Sequence, residues 1–409
     1  MSVLLTDQQP LMSNTFTFES LQRFPGLQAD NLVAVDASDR LVLAQAAEAI
    51  EAAPAGRVVV VGDRFGAMTL GAMALHGARD VRVHQDPVTG EQALANNAER
   101  AGLGATRTGL TDGFHQLPLT PELFTGATVV IGQLPKSLDA LREMAQLAAT
   151  HAHPALTLFL GGRVKHMTHA MNDVLADSFT DVRASLARQK SRVLVAGGPR
   201  PHGQAPVTAY PLRQRHLDLD LWVCAHGAAF ARTKIDIGTR FLLEFIDRMH
   251  PDAGTAVDLG CGTGIIAATV ARARPRLRVV ATDESSAATS SALATAAANG
   301  LAERIQVLRD DAMSSLPDAS VDLIVSNPPF HLGASVHSGA SDKLFRAAGR
   351  VLRPDGELWT VFNSHLPYRG RLTRAVGPTR IVGQNAKFTV TMSTRSPRDR
   401  PGESWATAP

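Results

Sequence analysis

The chain has 409 residues, of which 44% are hydrophobic and 19% are charged. The composition excludes a fully disordered protein. The length predicts two or three domains with sizeable cores. Lys and Arg total 41 against 38 Asp and Glu, so the net charge of +3 does not by itself indicate nucleic-acid binding. We expect a cytoplasmic protein without membrane spans, because no apolar run approaches about 18 residues and the two cysteines offer no disulfide framework.

Strand-like and helical segments alternate along the first half of the chain. Val58–Val61 predicts a strand, and an alanine-rich helix follows from Ala67. Further strands are predicted at Val81–His84 and Val129–Ile131, with a helix over 91–101 between them. This alternation is typical of βαβ units, which build a parallel sheet covered by helices on both faces.

The same order of segments returns in the second half. Strands are predicted at Thr255–Leu259, Arg278–Thr282, Ile305–Leu308 and Leu323–Ser326, with helices that begin at Ile265 and end at Asn299. Five pairs of residues share one spacing of 198 positions: Gly62 and Gly260, Gly66 and Gly264, Asp86 and Glu284, Gly102 and Gly300, Leu103 and Leu301. We therefore interpret the chain as two similar α/β halves that arose by duplication.

The boundary between the halves is predicted in a segment dense in glycine and proline. Residues 197–206 read GGPRPHGQAP, a composition typical of a linker. We divide the chain into a first domain over 1–205, a second over 206–394 and a tail over 395–409. The tail is polar and rich in proline, so we expect it to be disordered.

A glycine-rich loop follows the first predicted strand of the second half. It reads GCGTG, and Gly260, Gly262 and Gly264 allow a tight turn and close approach of a ligand to the backbone. Such a loop also fits nicotinamide enzymes. Asp258 lies two residues before the first glycine, where it would repel a pyrophosphate but suits a cationic ligand. We therefore predict that the loop binds S-adenosylmethionine.

The predicted cofactor site is completed by Asp283, Asp311, Cys261 and Asn327. Asp283 ends the next strand, where an acid commonly binds ribose hydroxyls. Asp311 follows the strand after that and could accept from an adenine amino group, although a loop-capping role fits its spacing equally well. Cys261 is expected to be a small buried filler of the loop. We predict no metal site, because no acidic or cysteine partner stands at ligand spacing near the histidines.

The sharpest feature of the chain is the predicted catalytic motif Asn327-Pro328-Pro329-Phe330, which follows a buried strand. The side-chain oxygen of Asn327 and the carbonyl of Pro328 could accept both hydrogens of a planar amine such as guanine N2 or adenine N6. This would localise the nitrogen lone pair and direct it at a methyl group. Pro329 stiffens the turn, and Phe330 offers a flat face on which a base could stack.

These motifs resemble class I S-adenosylmethionine-dependent methyltransferases, and more narrowly the ribosomal RNA guanine-N2 methyltransferases of the RsmC/RlmG type. The second half carries the resemblance in the two motifs above and in Phe230, Asp236–Thr239, Leu242–Leu243, Asn363, Leu366–Tyr368 and Lys387–Phe388. The first half is closer to the RlmG branch, which acts on large-subunit RNA, through Leu21–Pro25, Leu134–Lys136 and Lys190–Arg192. The sequence departs from the family at Ala228–Ala229, where a larger Val is usual.

The resemblance implies an α/β fold with two tandem Rossmann-like methyltransferase domains. Each would be a mostly parallel seven-stranded sheet flanked by helices, with the N-terminal copy degenerate. The sequence supports this independently, because Val60, Arg64 and Gln85 stand where the second half has Asp258, a glycine and Asp283. We predict that the first half binds no cofactor and helps to bind RNA, with the candidate contacts Arg64, Arg163, Lys165 and Lys190. In the second half, the arginine-rich residues 369–380 fit either a solvated face or further phosphate contacts.

The sequence thus predicts methyl transfer from S-adenosylmethionine to the N2 amine of a guanine in ribosomal RNA, in 23S RNA with 16S RNA as the alternative. We expect a monomer with ribosomal RNA as its partner. An N-methyltransferase of protein glutamine or DNA adenine fits the same motif, since that motif serves any planar amino group. A non-catalytic RNA-binding assembly factor is the alternative outside enzymes.

Overall fold

The computed structural model of the chain describes residues 16–26, 32–103, 113–201, 203–204, 206–328 and 334–396, with the backbone alone at 334–340. Two sheets of seven strands dominate this structure, and a separate two-stranded hairpin precedes the second sheet. Among the described residues, no helix combines the length and the apolar character that a membrane crossing requires.

The first sheet has the strand order β3-β2-β1-β4-β5-β7-β6. Neighbouring strands are parallel except that β7 runs antiparallel to β5 and β6. The strands are β1 Val58–Val61, β2 Val81–His84, β3 Phe114–Gln116, β4 Val129–Gln133, β5 Thr157–Arg163, β6 Phe179–Ala184 and β7 Ser191–Pro199. The helices are α1 Ala37–Ala52, α2 Ala67–His76, α3 Val88–Arg100, α4 Pro121–Phe124, α5 Leu138–His151 and α6 His169–Ser178, with 3-10 turns at Phe18–Ser20 and Val164–His166.

The second sheet repeats this order as β12-β11-β10-β13-β14-β16-β15. Here β16 runs antiparallel to its two neighbours. The strands, with the hairpin first, are β8 Leu212–His216, β9 Leu221–Ala225, β10 Thr255–Leu259, β11 Arg278–Asp283, β12 Ile305–Arg309, β13 Val321–Ser326, β14 Leu352–Asn363, β15 Thr379–Gln384 and β16 Phe388–Thr394. The helices are α7 Ile237–Leu243, α8 Ile265–Ala273, α9 Ser286–Ala298, α10 Ala334–Val351 and α11 Tyr368–Ala375, with a 3-10 turn at Ile246–Arg248.

The two identical strand orders confirm the predicted fold of two tandem, mostly parallel seven-stranded sheets. Side chains that alternate along β1 show why both faces are covered. Val58 and Val60 pack into one core cluster with α1 and α2. Val59 and Val61 face the opposite cluster, which includes Leu141 of α5. Because both faces are buried, the strand is a continuous apolar run in the sequence.

The predicted linker is shorter than the Gly- and Pro-rich composition suggested. Gly197 pairs with Thr157 of β5, and Pro199 pairs with Phe179 of β6, so residues 197–199 belong to β7. Gly198 has a φ of 62°, and a Cβ there would lie 2.3 Å from the hydroxyl oxygen of Thr180. The glycine therefore allows close packing at the edge of the sheet and does not mark a free linker.

The two halves contact each other through equivalent loops. The amide of Val88 donates to the carbonyl of Glu284 over 2.8 Å, and the amide of Ser286 donates to the carbonyl of Asp86 over 2.8 Å. Since 86 and 284, like 88 and 286, are 198 positions apart, each bond is the counterpart of the other. The β2–α3 loop and the β11–α9 loop thus pair about a local two-fold axis.

Hydrogen bonds continue for one residue past the end of β16. The amide of Arg395 donates to the carbonyl of Gly356 over 2.9 Å, and its guanidinium donates to the carbonyl of Arg350 over 3.2 Å. The predicted tail lies outside the described residues from position 397 onward.

Candidate active site

The carboxyl ends of three neighbouring strands form the candidate site. Strand β10 lies between β11 and β13, and Leu259 is in register with Thr282 on one side and Ser326 on the other. The hydroxyl of Ser326 donates to the carbonyl of Leu259 over 2.8 Å and ties two strand ends together. Ligands of such sheets bind in the crevice at this edge. The structure therefore brings the predicted acidic loop residues and the amide motif to one place.

Asp258 is a buried carboxylate with one unused oxygen. Its side chain is almost inaccessible, and Oδ2 accepts a hydrogen bond from the amide of Ala267 in α8 over 2.9 Å. Oδ1 is also buried and has no hydrogen-bond partner among the described residues. Burial raises the pKa of Asp258 to about 7, and the nearby charge of Asp283 adds to the rise. A cation held against Oδ1 would offset the burial, so Asp258 fits the positively charged end of S-adenosylmethionine.

The glycine-rich loop leaves room beside its backbone. Gly260 and Gly262 have φ values of 74° and 52°, and a Cβ at either position would meet no atom within 4 Å. Gly264 differs, because a Cβ there would lie 2.9 Å from that of Ala292 in α9. Cys261 is buried within the loop, as expected for a filler, and burial raises the pKa of its thiol. The first two glycines thus face open space, whereas the third permits α8 and α9 to pack closely.

Asp283 closes the glycine loop from the end of β11. Its Oδ2 accepts from the amide of Gly262 over 3.0 Å, and its Oδ1 accepts from the amide of Ser285 over 3.0 Å. Burial raises the pKa of Asp283 above its ordinary value. These two amides fix the carboxylate at the strand end, where its remaining lone pairs are available for ribose hydroxyls.

The two acids after β12 have different partners. Asp310 caps the following turn, since its Oδ2 accepts from the amide and the hydroxyl of Ser315 over 3.0 and 2.6 Å. Asp311 forms an ion pair with Lys343 of α10. Of the two acids, only Asp310 therefore caps its own loop, and the side chain of Asp311 contacts α10 instead. Its predicted contact with adenine stays a prediction.

Asn327 is held in one orientation by two residues of the α7 N-terminus. Its Nδ2 donates to Oδ2 of Asp236 over 3.0 Å and to Oγ1 of Thr239 over 2.9 Å. An ionised carboxylate can only accept hydrogen bonds, so the amide nitrogen and not the oxygen must face Asp236. The amide oxygen of Asn327 is buried and has no partner among the described residues. It is therefore a buried acceptor that the N–H group of a ligand could satisfy.

Asp236 and Thr239 were not among the predicted site residues. Asp236 is the N-cap of α7, where its Oδ2 also accepts from the amides of Gly238 and Thr239 over 2.9 and 3.3 Å. An Asp just before a helical segment is a capping signal that the sequence does contain. Nothing local in the sequence shows that this cap also binds an amide 91 positions away.

Only part of the predicted catalytic motif lies in the described structure. Pro328 is buried directly after Asn327. Pro329 and Phe330 fall outside the described residues, so their predicted roles stay predictions.

In the first half, the loop that corresponds to the glycine-rich loop contains Asp63, whose side chain caps the following helix α2. Val60 occupies the strand position of Asp258, but Asp63 in the loop accepts from two amides at the start of α2, with both oxygens used. One of these donors is Thr69, the counterpart 198 positions earlier of Ala267, which donates to Asp258. Asp63 is 2% exposed, and burial raises its pKa to about 6. The first half therefore caps its helix without leaving an unused buried oxygen on that acid.

Gln133 ends β4 at the place that Asn327 takes after β13. Its amide donates to Oγ of Ser38 over 2.8 Å and to the carboxylate of Asp39. The Ser38 hydroxyl in turn donates to the carboxylate of Asp36 over 2.5 Å. The counterpart of Asn327 is thus hydrogen-bonded to the N-terminus of α1 in its own half.

Two family models match the chain, one on each half. The RLMG N-terminal domain matches residues 9–200, and the Methyltransferase small domain matches residues 220–392. The ribosomal RNA large subunit methyltransferase G of Streptomyces coelicolor is 36% identical over 380 residues, which cover 90% of this chain and 96% of that protein. The protein of the same name from Pseudomonas aeruginosa is 33% identical over 387 residues, covering 93% and 98%.

The fold is also that of a solved structure. The 16S rRNA N2 guanine methyltransferase RsmC of T. thermophilus, in complex with AdoMet and guanosine, superposes with a TM-score of 0.67 at 20% identity, covering 88% of this chain and 92% of that one. The likeness extends over both halves of the chain. The full-length relatives show that this chain belongs to the ribosomal RNA large subunit methyltransferase G family.

Proposed function

We propose that this chain transfers a methyl group from S-adenosylmethionine to the exocyclic N2 amine of a guanine in large-subunit ribosomal RNA. The observation that carries the proposal is a pair of buried oxygens at one sheet edge, Oδ1 of Asp258 and the amide oxygen of Asn327, neither of which has a hydrogen-bond partner in the described part of the chain. The first fits a cation, and the second fits an N–H donor. The names of the full-length relatives support the substrate class.

The cofactor side of the proposal assigns a role to each strand end. S-adenosylmethionine, when bound, supplies a methyl group activated by its positively charged sulfur. Asp258 would hold the charged methionine part, and the open backbone at Gly260 and Gly262 would allow the ligand to approach. Asp283 would accept from the ribose hydroxyls, and Asp311 from the adenine amino group.

The substrate side depends on Asn327. The lone pair of a guanine amino nitrogen is delocalised into the ring, which makes it a poor nucleophile. If the amide oxygen of Asn327 and the carbonyl of Pro328 accept its two hydrogens, the lone pair becomes localised and is aimed at the methyl group. One N–C bond forms, one C–S bond breaks, and the nitrogen releases a proton to water because the neutral amide cannot keep it. Asp236 and Thr239 fix the amide beforehand, so little reorganisation is needed.

The first half is proposed to recognise RNA without a cofactor of its own. We propose domains over 1–205 and 206–394, a division that the two matched models at 9–200 and 220–392 support. The candidate phosphate contacts Arg163, Lys165 and Lys190 are all exposed near the carboxyl end of β5 and the turn before β7. Phosphate contacts of this kind would position the RNA, while a base taken out of its stack would enter the Asn327 site. We also propose that the protein is cytoplasmic and monomeric. Light scattering of the purified chain would test the monomeric state.

Mass spectrometry of ribosomal RNA from cells that lack this chain tests the substrate. We expect one N2-methylguanine to disappear from large-subunit RNA and to return with the wild-type gene but not with Asn327→Ala. Loss from small-subunit RNA would move the substrate assignment to that RNA. Transfer of label only to protein or to DNA in vitro would replace the proposal with a glutamine or adenine methyltransferase. Normal methylation of every RNA in the deleted cells would favour a non-catalytic assembly factor.

A further inference from the structure

We propose that Asp86 of the first half is a positioning residue for the cofactor site of the second half. In this inference, Asp86 caps helix α9 across the interface and thereby holds Asp283 in its binding orientation. The inference rests on the proposed S-adenosylmethionine site. It assigns to the degenerate half a part in cofactor binding, beyond the recognition of RNA.

The cap consists of two hydrogen bonds to one carboxylate oxygen. Oδ1 of Asp86 accepts from the hydroxyl of Ser285 over 2.9 Å and from the amide of Ala287 over 2.9 Å. The same Ser285 hydroxyl accepts from the amide of Ala288 over 3.1 Å, as the N-cap of α9. The first turn of α9 therefore has its free amides satisfied by both halves of the chain, and a negative charge lies at the positive end of the helix.

The backbone of the same loop is fixed from a second direction. Nη2 of Arg309 donates to the carbonyls of Gln85 and Asp86 over 2.7 and 2.9 Å, and Nη1 donates to Glu91 over 2.6 Å. Arg309 is the last residue of β12, directly before Asp310 and the candidate adenine acceptor after it. One loop of the first half thus contacts both strand ends that carry the proposed ribose and adenine acids.

The connection from Asp86 to Asp283 is one residue long. The amide of Ser285 donates to Oδ1 of Asp283 over 3.0 Å, while the hydroxyl of Ser285 donates to Asp86. Loss of the Asp86 carboxylate would leave the Ser285 hydroxyl held by the amide of Ala288 alone and would loosen the turn that presents Asp283. The ribose hydroxyls would then meet a carboxylate that is less well oriented.

Isothermal titration of the purified full-length protein with S-adenosylmethionine tests the inference. We expect Asp86→Ala to raise Kd about five- to tenfold, because ligand binding must then order a turn that has lost a cap contributing about 1 kcal/mol to its stability. Asp86→Asn should stay within about twofold of wild type, because its amide oxygen can still accept both hydrogen bonds. In methyl transfer, KM for S-adenosylmethionine should rise with Asp86→Ala, while kcat at saturating cofactor should change by less than about twofold.

Asp36→Ala is the matched control. Asp36 caps α1 within the first half, where it accepts from the amides of Ser38 and Asp39 over 2.8 and 3.2 Å, and its ion pair with Arg64 also lies within that half. Its loss should lower thermal stability but leave Kd for S-adenosylmethionine unchanged. An equal rise in Kd with Asp36→Ala would overturn the inference, because general destabilisation would then explain the effect.

A second ligand tests the link to Asp283 directly. Wild type should bind S-adenosylhomocysteine more tightly than its 2′-deoxy analogue, and Asp86→Ala should reduce this difference. An unchanged difference, or an unchanged Kd in a folded Asp86→Ala, would overturn the inference. If Asp86→Ala does not fold, Arg309→Gln tests the same loop, with the same rise in Kd expected and an unchanged Kd contradicting it. Failure of wild type to bind S-adenosylmethionine would instead contradict the proposed function.

Discussion

The amide nitrogen of Asn327 lies 3.0 Å from the carboxylate of Asp236, and this contact decides which end of the amide faces the site. A rotated amide would direct its nitrogen at the substrate and repel an N–H donor. We expect Asp236→Ala to lower kcat about 10- to 100-fold through loss of this orientation, with Kd for S-adenosylmethionine nearly unchanged. Steady-state methyl transfer together with isothermal titration would check this. Thr239→Ser, which keeps the hydroxyl acceptor, is the control and should retain most of the activity.

Asn327→Ala removes the proposed acceptor itself. Because the side-chain oxygen would act on the amine as its charge develops, we expect kcat to fall about 100- to 1000-fold. Titration with S-adenosylmethionine should still show binding, since the acids and the glycine loop remain. Unchanged methyl transfer in this variant would remove Asn327 from the catalytic site.

The raised pKa of Asp258 predicts that cofactor affinity depends on pH. Burial raises this pKa to about 7, so below that value the carboxyl group is mostly neutral in the free protein. A cationic ligand binds the ionised form, which means that binding must release the proton. We expect Kd for S-adenosylmethionine to rise as pH falls from about 7 to 5, by up to about tenfold per unit.

Titrations in two buffers of different ionisation enthalpy would detect that proton. Near pH 6 the observed enthalpy should differ between the buffers by the amount expected for release of about one proton. Asp258→Asn should bind more weakly and lose most of the buffer dependence. Equal buffer dependence in Asp258→Asn would assign the proton to another group.

The filled loop of the first half predicts one cofactor per chain. Asp63 uses both oxygens on helix amides, and Val60, an apolar residue, stands where the second half has Asp258. We expect titration to give a stoichiometry of one S-adenosylmethionine, abolished by changes at Asp258 and Asp283 together. A stoichiometry of two would show that the first half has kept a site.

Alanine substitutions at Gly264 and Gly300 form a matched pair of variants for measuring the free energy of unfolding. Both have a positive φ, 76° and 69°, so an alanine at either position is strained by about 1 to 2 kcal/mol. Only at Gly264 does the added Cβ also collide with α9, 2.9 Å from the Cβ of Ala292. We expect Gly264→Ala to lose about 1 to 3 kcal/mol more than Gly300→Ala in chemical denaturation. Equal losses would mean that α8 and α9 can move apart freely.

The repeated strands and the loop motifs were predictable because their signals are local. The alternation of buried strands with helices and the 198-residue spacing predicted both sheets, and the fold confirms them. Asp258, Asp283 and Asn327 were each predicted at or just after the end of a strand, and the structure brings these strand ends to one edge of the sheet. The spacing of the motif did not distinguish Gly264, which permits helix packing, from Gly260 and Gly262, which face open space. The close neighbour of Gly264, Ala292, is visible only in the packed structure.

Contacts between distant segments were not predictable. The bond from Asn327 to Asp236 spans 91 positions, and the bond from Ser285 to Asp86 spans 199. Each depends on how whole elements pack, which no short pattern encodes. The linker prediction was wrong at residues 197–199 for a related reason, since glycine and proline there permit a close strand edge as well as a loop.

The reciprocal bonds between Val88 and Glu284 and between Ser286 and Asp86 are those that two identical subunits would exchange in a symmetric homodimer. An ancestor of half this length could therefore have assembled through this loop before its gene was duplicated and fused. Once both copies were carried on one polypeptide, each could diverge without affecting the other. One copy could then lose its catalytic activity while its loop continued to stabilise the other copy.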